Sequence, residues 1–213
     1  MPNRRRSAIL CFSLILLLPL LLFAKGFVKP VAMHAKAYPA HDSHPDEMVA
    51  IAADPYDTPQ KAAIFTHNLA ENGFLPIFFV VTNDGDRPIS IADMQITFLT
   101  RNNSKLTPMA PADMYRRLTN PRSTTPLPLP IPRKPVKGTI SKKEMDEIES
   151  AAFVARAVEP RGTQSGFLFF DIGGINTPMV GALIDITGVA DAKGHELLYF
   201  EISLDKYLNA PVK

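Results

Sequence analysis

Two apolar runs separated by a turn stand out in the pattern of hydrophobic and polar residues. Residues 74–82 (FLPIFFVVT) are rich in β-branched and aromatic side chains, and residues 89–98 alternate between apolar and polar types, as half-buried strands do. Residues 83–88 (NDGDRP) between them are types that favour turns. The apolar register changes parity near Ala92, which indicates a β-bulge. The pattern predicts a β-hairpin over residues 74–101.

Similar patterns predict further strands on both sides of this hairpin. One should precede it and join it through the Asn72-Gly73 turn, because Asn-Gly favours tight hairpins. The run at 166–171 is apolar on both faces, which predicts a central strand. The last two strands should be joined by a hairpin loop at 191–194 (DAKG). The predicted additional strands are 61–69, 152–158, 166–171, 179–189 and 198–204. About seven strands separated by turns are typical of an all-β antiparallel sandwich.

Helix and proline are confined to the middle of the chain. Residues 111–118 could form two turns of helix, and Ser141 with Glu144 forms a capping box, which predicts a short helix over 142–149. Residues 121–137 are rich in proline and therefore cannot enter a helix interior or a central strand. The pattern predicts a Pro-rich loop plus short helix over 120–150, inserted between two β halves.

The N-terminus has the pattern of an export signal. Three arginines at 4–6 precede an apolar run at 8–24, so residues 1–25 are predicted to be a signal peptide or an N-terminal membrane anchor. The run has 17 residues and contains Pro19, at the lower limit for a membrane span, and both alternatives stay open. Residues 26–60 lack sustained periodicity and are interpreted as a tether or arm. The β-sandwich domain is predicted at 61–205, with a C-terminal tail at 206–213.

The cysteine content and the charge of the chain indicate its compartment and the partners that it can bind. The lone Cys11 lies inside the apolar run, where a lipoprotein signal would not place it, and no intramolecular disulfide can form. An exported domain without disulfides fits the periplasm, or the outer face of the cytoplasmic membrane, of a bacterium. Residues 1–37 hold six of the 23 basic and none of the 21 acidic residues. The remaining chain is mildly acidic, which excludes nucleic acid as a partner.

Two segments carry a family resemblance. Residues 75–85 with 88–91, and the turn at 159–163 (EPRGT) leading into the phenylalanine-rich run at 166–171, resemble the uncharacterised immunoglobulin-like domains of exported bacterial proteins. In that group a P-G-x-T/S turn precedes such a strand, whereas Arg161 intervenes here between proline and glycine. The resemblance covers about residues 62–204 and implies an immunoglobulin-like β-sandwich. Its motifs are structural, so it implies no functional residues.

The strongest candidate for metal binding lies in the predicted tether. His34, His41 and His44 lie near Asp42 and Glu47, and imidazole and carboxylate groups are the ligands that Zn²⁺ or Cu²⁺ requires. The alternative is a solvated polar stretch, since nothing in the sequence predicts that these side chains are held rigidly. We therefore consider a periplasmic metal-binding protein as an alternative function.

The strongest candidate for partner binding is the Pro-rich loop. An extended polyproline segment followed by two cations can bind an aromatic groove on an envelope protein, although prolines can also simply restrict a long loop. The candidate partner-binding residues are Pro126, Pro128, Pro130, Pro132, Arg133 and Lys134.

No motif in the chain indicates catalysis. Residues 164–166 (QSG) lack the glycine that begins a nucleophile elbow, and neither a P-loop nor a dinucleotide-binding glycine pattern occurs. The carboxylates Glu144, Asp146, Glu147 and Glu149 are interpreted as the mostly exposed face of the short helix. The sequence thus predicts a non-enzymatic exported envelope protein without cofactors, in contact with the membrane only through an uncleaved N-terminal segment.

Overall fold

The fold is mostly β, with antiparallel sheets. The computed structural model describes residues 27–119 and 140–210. Its strands are β1 (His41–His44), β2 (Val49–Pro55), β3 (Phe74–Asn83), β4 (Ile89–Ser90), β5 (Gln95–Leu99), β6 (Lys105–Leu106), β7 (Ala157–Val158), β8 (Thr163–Asp171), β9 (Leu183–Thr187) and β10 (Phe200–Ser203). Its helices are α1 (Pro59–Ala62), α2 (Pro111–Thr119), α3 (Lys142–Ala151) and α4 (Asp205–Leu208), with one 3-10 turn at Ala35–Ala37.

The strands form two four-stranded sheets and one short ribbon. The first sheet has the order β1-β2-β3-β8, the second has the order β10-β9-β5-β6, and β4 pairs with β7. Every pairing between these strands is antiparallel. Side chains from both four-stranded sheets share one buried cluster, which includes Ile77, Phe98, Phe170, Ile184 and Phe200. The two sheets therefore pack against each other through their inner faces.

A second buried cluster lies on the opposite face of the first sheet. Phe78 and Val80 of β3 pack there with Met114 of α2 and Ile148 of α3. Successive side chains of a strand point to opposite faces, so β3 contributes to both clusters. This explains why all ten residues of β3 are buried. The helices α2 and α3 thus cover the outside of the first sheet.

The predicted 74–101 hairpin is wrong, although both of its strands exist. β3 pairs with β2 and β8, whereas β5 pairs with β6 and β9 in the other sheet. Residues 91–94 form a turn, closed by Met94 N donating to Ile91 O at 3.4 Å, and not a β-bulge. A strand buried on both faces gains more apolar contact between two other apolar strands than beside the half-polar β5.

The predicted first strand at 61–69 is also wrong. Thr58 caps α1, whose first residue is Pro59, and this arrangement favours a helical start. The chain then continues in turns, with Phe65 and Leu69 buried in the second cluster. The apolar residues at 64–69 therefore cover a sheet rather than join one.

The prediction of a tether over 26–60 is wrong as well. Residues 41–44 and 49–55 are the strands β1 and β2, paired with each other and with β3. Ala50 and Ala52 are fully buried in the second cluster, while Val49 and Ile51 are buried in the first. Burial on both faces removes the apolar–polar alternation that would have revealed the strand.

Several local predictions are confirmed. α2 and α3 form where expected, and Ser141 and Glu144 make the predicted capping box. β8 forms, but the order of the sheet places it at an edge, where Phe153 N donates to Phe167 O at 3.0 Å. Of the predicted strand at 152–158, only residues 157–158 are paired as β7, and the predicted tail contains α4.

Candidate functional site

Three loops meet at one end of the two sheets and enclose a cleft of about 290 Å³. They are the β1–β2 turn, the β3–β4 loop and the β9–β10 loop. Loops held at the end of a rigid sheet scaffold are common places for binding residues, which makes this cleft the candidate functional site. Its lining residues are Asp46, Glu47, Met48, Asn83, Gly85, Asp86, Arg87, Pro88, Ile89, Asp191, Ala192, Lys193 and Leu197.

The buried side chain of Asn83 holds the conformation of the β3–β4 loop through hydrogen bonds. Its side chain is buried at the end of β3, and Nδ2 donates to Arg87 O at 2.7 Å and to the carbonyls of Val158 and Glu159 at 3.2 and 3.3 Å. Its Oδ1 accepts from Gly85 N at 2.9 Å. One amide therefore fixes the curvature of the loop and ties it to the segment after β7.

Two aspartates secure the outside of the same loop. Asp84 contacts His34 Nε2 at 2.8 Å and Lys36 Nζ at 3.1 Å, and its backbone N donates to Met48 O at 2.7 Å. The hydrogen bond with His34 is the main cause of the lowered pKa of Asp84. Asp86 accepts from Arg161 Nε at 3.1 Å and from its Nη2 at 2.6 Å. These contacts hold the loop in place from two further segments.

The β1–β2 turn is held by His44. Its ring stacks on Phe200 of β10, with ring centres 4.0 Å apart, and its Nδ1 lies 2.8 Å from Glu47 Oε2. Glu47 Oε1 in turn accepts from Leu198 N at 2.9 Å, and Asp42 accepts from Glu201 N at 3.0 Å. These carboxylates occupy backbone donors at the edge of the second sheet, so the two sheets are also joined along this side.

The β9–β10 loop has its own internal support. Asp191 Oδ1 accepts from Lys193 N at 2.8 Å and from His195 N at 2.9 Å. The bond from His195 N is the main cause of the lowered pKa of Asp191. Gly194 closes the turn with a φ of 83°, a conformation that glycine adopts without strain. The predicted hairpin loop at 191–194 is confirmed.

The polar groups of the cleft differ in how far they are already occupied. Glu47, Asp86 and Asp191 have the partners described above, whereas the side chains of Arg87 and Lys193 have no hydrogen bond or ion pair within residues 27–119 and 140–210. Asp46 is likewise unpaired in this part of the chain. The free hydrogen-bonding capacity of the cleft therefore comes mainly from two cations on two different loops.

The three predicted metal ligands have separate structural roles. His34 caps the 3-10 turn and contacts Asp84, His41 Nδ1 lies 2.6 Å from Tyr38 O, and His44 is the stacked residue of the β1–β2 turn. Among the residues that the structure describes, no group of three or more histidine, cysteine, aspartate or glutamate side chains could hold a metal ion. The hypothesis of a shared three-histidine site thus has no geometric support in the described chain.

The acidic face of α3, which the sequence analysis interprets as mostly exposed, contains one buried carboxylate. Glu147 is only 6% exposed, and its carboxylate accepts from Thr66 N at 3.0 Å and from Thr66 Oγ1 at 2.8 Å. Glu144 caps α3 and lies 3.3 Å from His67 Nδ1. Both carboxylates therefore hold α3 and the segment after α1 together.

Two predicted segments lie outside the residues that the structure describes. The candidate partner-binding residues Pro126, Pro128, Pro130, Pro132, Arg133 and Lys134 lie outside the described residues, as does the apolar run at 8–24. Within residues 27–119 and 140–210, no helix has the length and apolar character needed to cross a bilayer.

Sequence reasoning located two of the three cleft loops but not their meeting. Both loops had clear turn signals, at 83–88 and 191–194, yet nothing local to either predicts a shared cleft.

In comparisons with known proteins, no protein-family model matches the chain and no curated protein is significantly similar to it.

Proposed function

We propose that this protein is a non-enzymatic, exported module of a bacterial envelope, and that it binds another protein through the cleft enclosed by the β1–β2, β3–β4 and β9–β10 loops. The basic residues at 4–6 and the apolar run at 8–24 support export, whether the segment is a cleaved signal or an anchor. The cleft itself supports binding, because its three loops are held by internal hydrogen bonds. Such preorganisation lowers the entropic cost of forming a complex.

An immunoglobulin-like β-sandwich is the proposed fold type. With β1 and the β4–β7 ribbon set aside, seven strands remain, in the orders β2-β3-β8 and β10-β9-β5-β6. In the immunoglobulin lettering these would be A-B-E and G-F-C-C′, with α2 and α3 inserted between C′ and E. The cleft would then lie between the B–C and F–G loops, the region that variable domains use for binding.

Export can be tested with a reporter fused to the C-terminus. An enzyme that folds only outside the cytosol should be active in the fusion, and replacing the arginines at 4–6 by glutamate should reduce that activity. An inactive fusion of the unaltered sequence would refute export, and equal activity of both fusions would refute the role of the arginines in it.

Binding at the cleft can be tested by photo-cross-linking in the native envelope. A photoreactive residue at Met48 lies at the cleft, whereas one at Val180 lies at the other end of β9 with similar exposure, 49% against 43%. We expect a protein adduct from Met48 and none from Val180. Equal labelling from both positions would contradict a specific binding site.

A second contact through the Pro-rich loop is part of the same proposal. Deleting residues 124–137 from the Met48 cross-linking variant tests it directly. If these prolines take part in binding, the yield of the same adduct should fall, and an unchanged yield would restrict binding to the cleft.

A further inference from the structure

The outer face of the second sheet is uncovered in the part of the chain that the structure describes. Alternate residues of β5, β9 and β10 point away from the shared core, and they are half-buried or exposed. No side chain of this face belongs to either buried cluster of the described residues, whereas α2 and α3 cover the corresponding face of the first sheet. Packing within the described chain therefore does not explain which residues this face carries.

Two carboxylates lie opposite each other in the middle of this face. Asp185 on β9 faces Glu201 on β10 and Thr97 on β5 in the register of the sheet. Like charges at directly opposed positions destabilise a strand pair. Within residues 27–119 and 140–210, neither carboxylate accepts a hydrogen bond or forms an ion pair, and Lys206, which follows β10, donates to His41 O instead. The acidic pair therefore lacks a compensating cation in the described chain.

The position of Asp185 is not explained by solubility. A charge that keeps a sheet soluble acts through its contact with water, whereas Asp185 Oδ1 is buried and has no hydrogen-bond partner among the described residues. A buried acceptor without a donor costs free energy. The residue as a whole is only half-buried, so a donor can reach its carboxylate from the solvent side. This unsatisfied acceptor points to a ligand that brings N–H donors.

An apolar pair lies beside the acidic pair. Leu99 and Leu183 face each other across β5 and β9, two residues along from Thr97 and Asp185, and both are half-buried. The cation of this face, Lys105, lies opposite Leu99 on β6, and β5 separates it from β9. A long basic side chain can place its methylene stem on leucines while its charged end binds carboxylates. An acidic partner group would instead meet two carboxylates.

We infer that the outer face of the second sheet is a docking surface for a partner protein that places an arginine or lysine side chain against Asp185 and Glu201, with its stem on Leu99 and Leu183. This surface is separate from the cleft and goes beyond the function proposed for it. A bound cation removes the repulsion between the two carboxylates, and an arginine fork can donate to both. Changes that neutralise the acidic pair should therefore weaken binding without destabilising the free protein.

The test uses a photoreactive residue at Tyr199 in the full chain and in the native envelope. Tyr199 directly precedes β10 and is 64% exposed, and Tyr115 on α2, which is 47% exposed, is the matched control position. We expect a protein adduct from Tyr199 and none from Tyr115. Asp185→Asn combined with Glu201→Gln should lower this adduct about tenfold, as expected for two partly exposed ion pairs. Lys105→Gln, the control on the same face, should not lower it.

Stability and the partner's own residues provide two further readouts. The thermal midpoint of the double variant should equal or exceed that of the unaltered protein, and a lowered midpoint would contradict the repulsion on which the inference rests. Mass spectrometry of the adduct identifies the partner segment. Changing the arginine or lysine nearest the attachment point to glutamine should lower the adduct as much as the double variant does. Combining both changes should lower it no further, because they remove the same interaction.

The outcomes for this face and for the cleft are distinguishable. No adduct from Tyr199, equal labelling from Tyr115, or an adduct unchanged in the double variant overturns the inference. So does a cross-linked partner segment without a basic residue, or a peptide of this chain itself. Each of these results leaves the Met48 adduct, and with it the proposed function, unaffected. Absence of the Met48 adduct would refute binding at the cleft without changing the expectation for Tyr199.

Discussion

Replacement of Asn83 by alanine tests whether one buried amide holds the cleft loop in place. The side chain is 1% exposed and makes four hydrogen bonds, three from Nδ2 and one to Oδ1. An amide NH₂ has only two protons, so two donor bonds and one acceptor bond count fully. At about 1 kcal/mol net for each, the free energy of unfolding should fall by about 3 kcal/mol.

The assay is urea denaturation of the purified protein followed by two spectroscopic probes, whose coincidence checks two-state behaviour. For a chain of this size the loss corresponds to a thermal midpoint lower by about 9 °C. Asn83→Asp keeps the acceptor for Gly85 N but places a carboxylate 2.7 Å from the carbonyl oxygen of Arg87, so it should lose at least as much. Asn176→Ala on an exposed loop should change stability by less than about 0.5 kcal/mol.

The reasoning is refuted if Asn83→Ala loses less than about 1 kcal/mol or if Asn83→Asp behaves like the unaltered protein. Either result would mean that the backbone contacts of Asp84 and Arg161 alone determine the loop conformation. If the loss is as expected, the Met48 adduct should also decrease under conditions where the variant is still folded, because the Arg87 side of the cleft is displaced.

Three further predictions concern the scaffold. Gly166→Ala should lower the free energy of unfolding measured in urea by about 3 kcal/mol, because the added Cβ would lie 2.5 Å from the Cα of Phe153. A loss below about 1 kcal/mol would contradict this by showing that the backbone contact can relax. Asp185→Asn should raise the free energy of unfolding by about 0.5 kcal/mol, because Asp185 faces Glu201 across the strand pair and its buried Oδ1 has no hydrogen-bond partner among the described residues. The gain should shrink at high salt, and a loss of stability would contradict it. Burial, followed by repulsion from a nearby carboxylate, raises the pKa of Tyr56 from 10.0 to about 12. The folded state therefore favours the neutral form of Tyr56, and the stabilisation that is present below pH 10 should be lost as the pH rises towards 12. Tyr56→Phe should reduce the fall in the free energy of unfolding between pH 10 and pH 12. An unchanged pH dependence would refute the assignment.

The sequence by itself determined the local elements of this protein. The capping box of Ser141 and Glu144 is sufficient to begin α3, because cap and helix lie within four residues. The turn residues at 83–88 and 191–194 likewise specify loops from adjacent side chains. An apolar run such as 166–171 indicates a buried strand but does not say which strands lie beside it.

The tertiary structure alone decided how these elements pair and where the cleft lies. Strand partners depend on contacts between residues far apart in the chain, and burial on both faces erased the alternation that would have identified β2. For the same reason, three loops separated by up to about 150 residues, joined by contacts such as Leu198 N to Glu47, could not be recognised as one site. Turn and cap signals are short-range interactions, whereas the site depends on two sheets packing face to face.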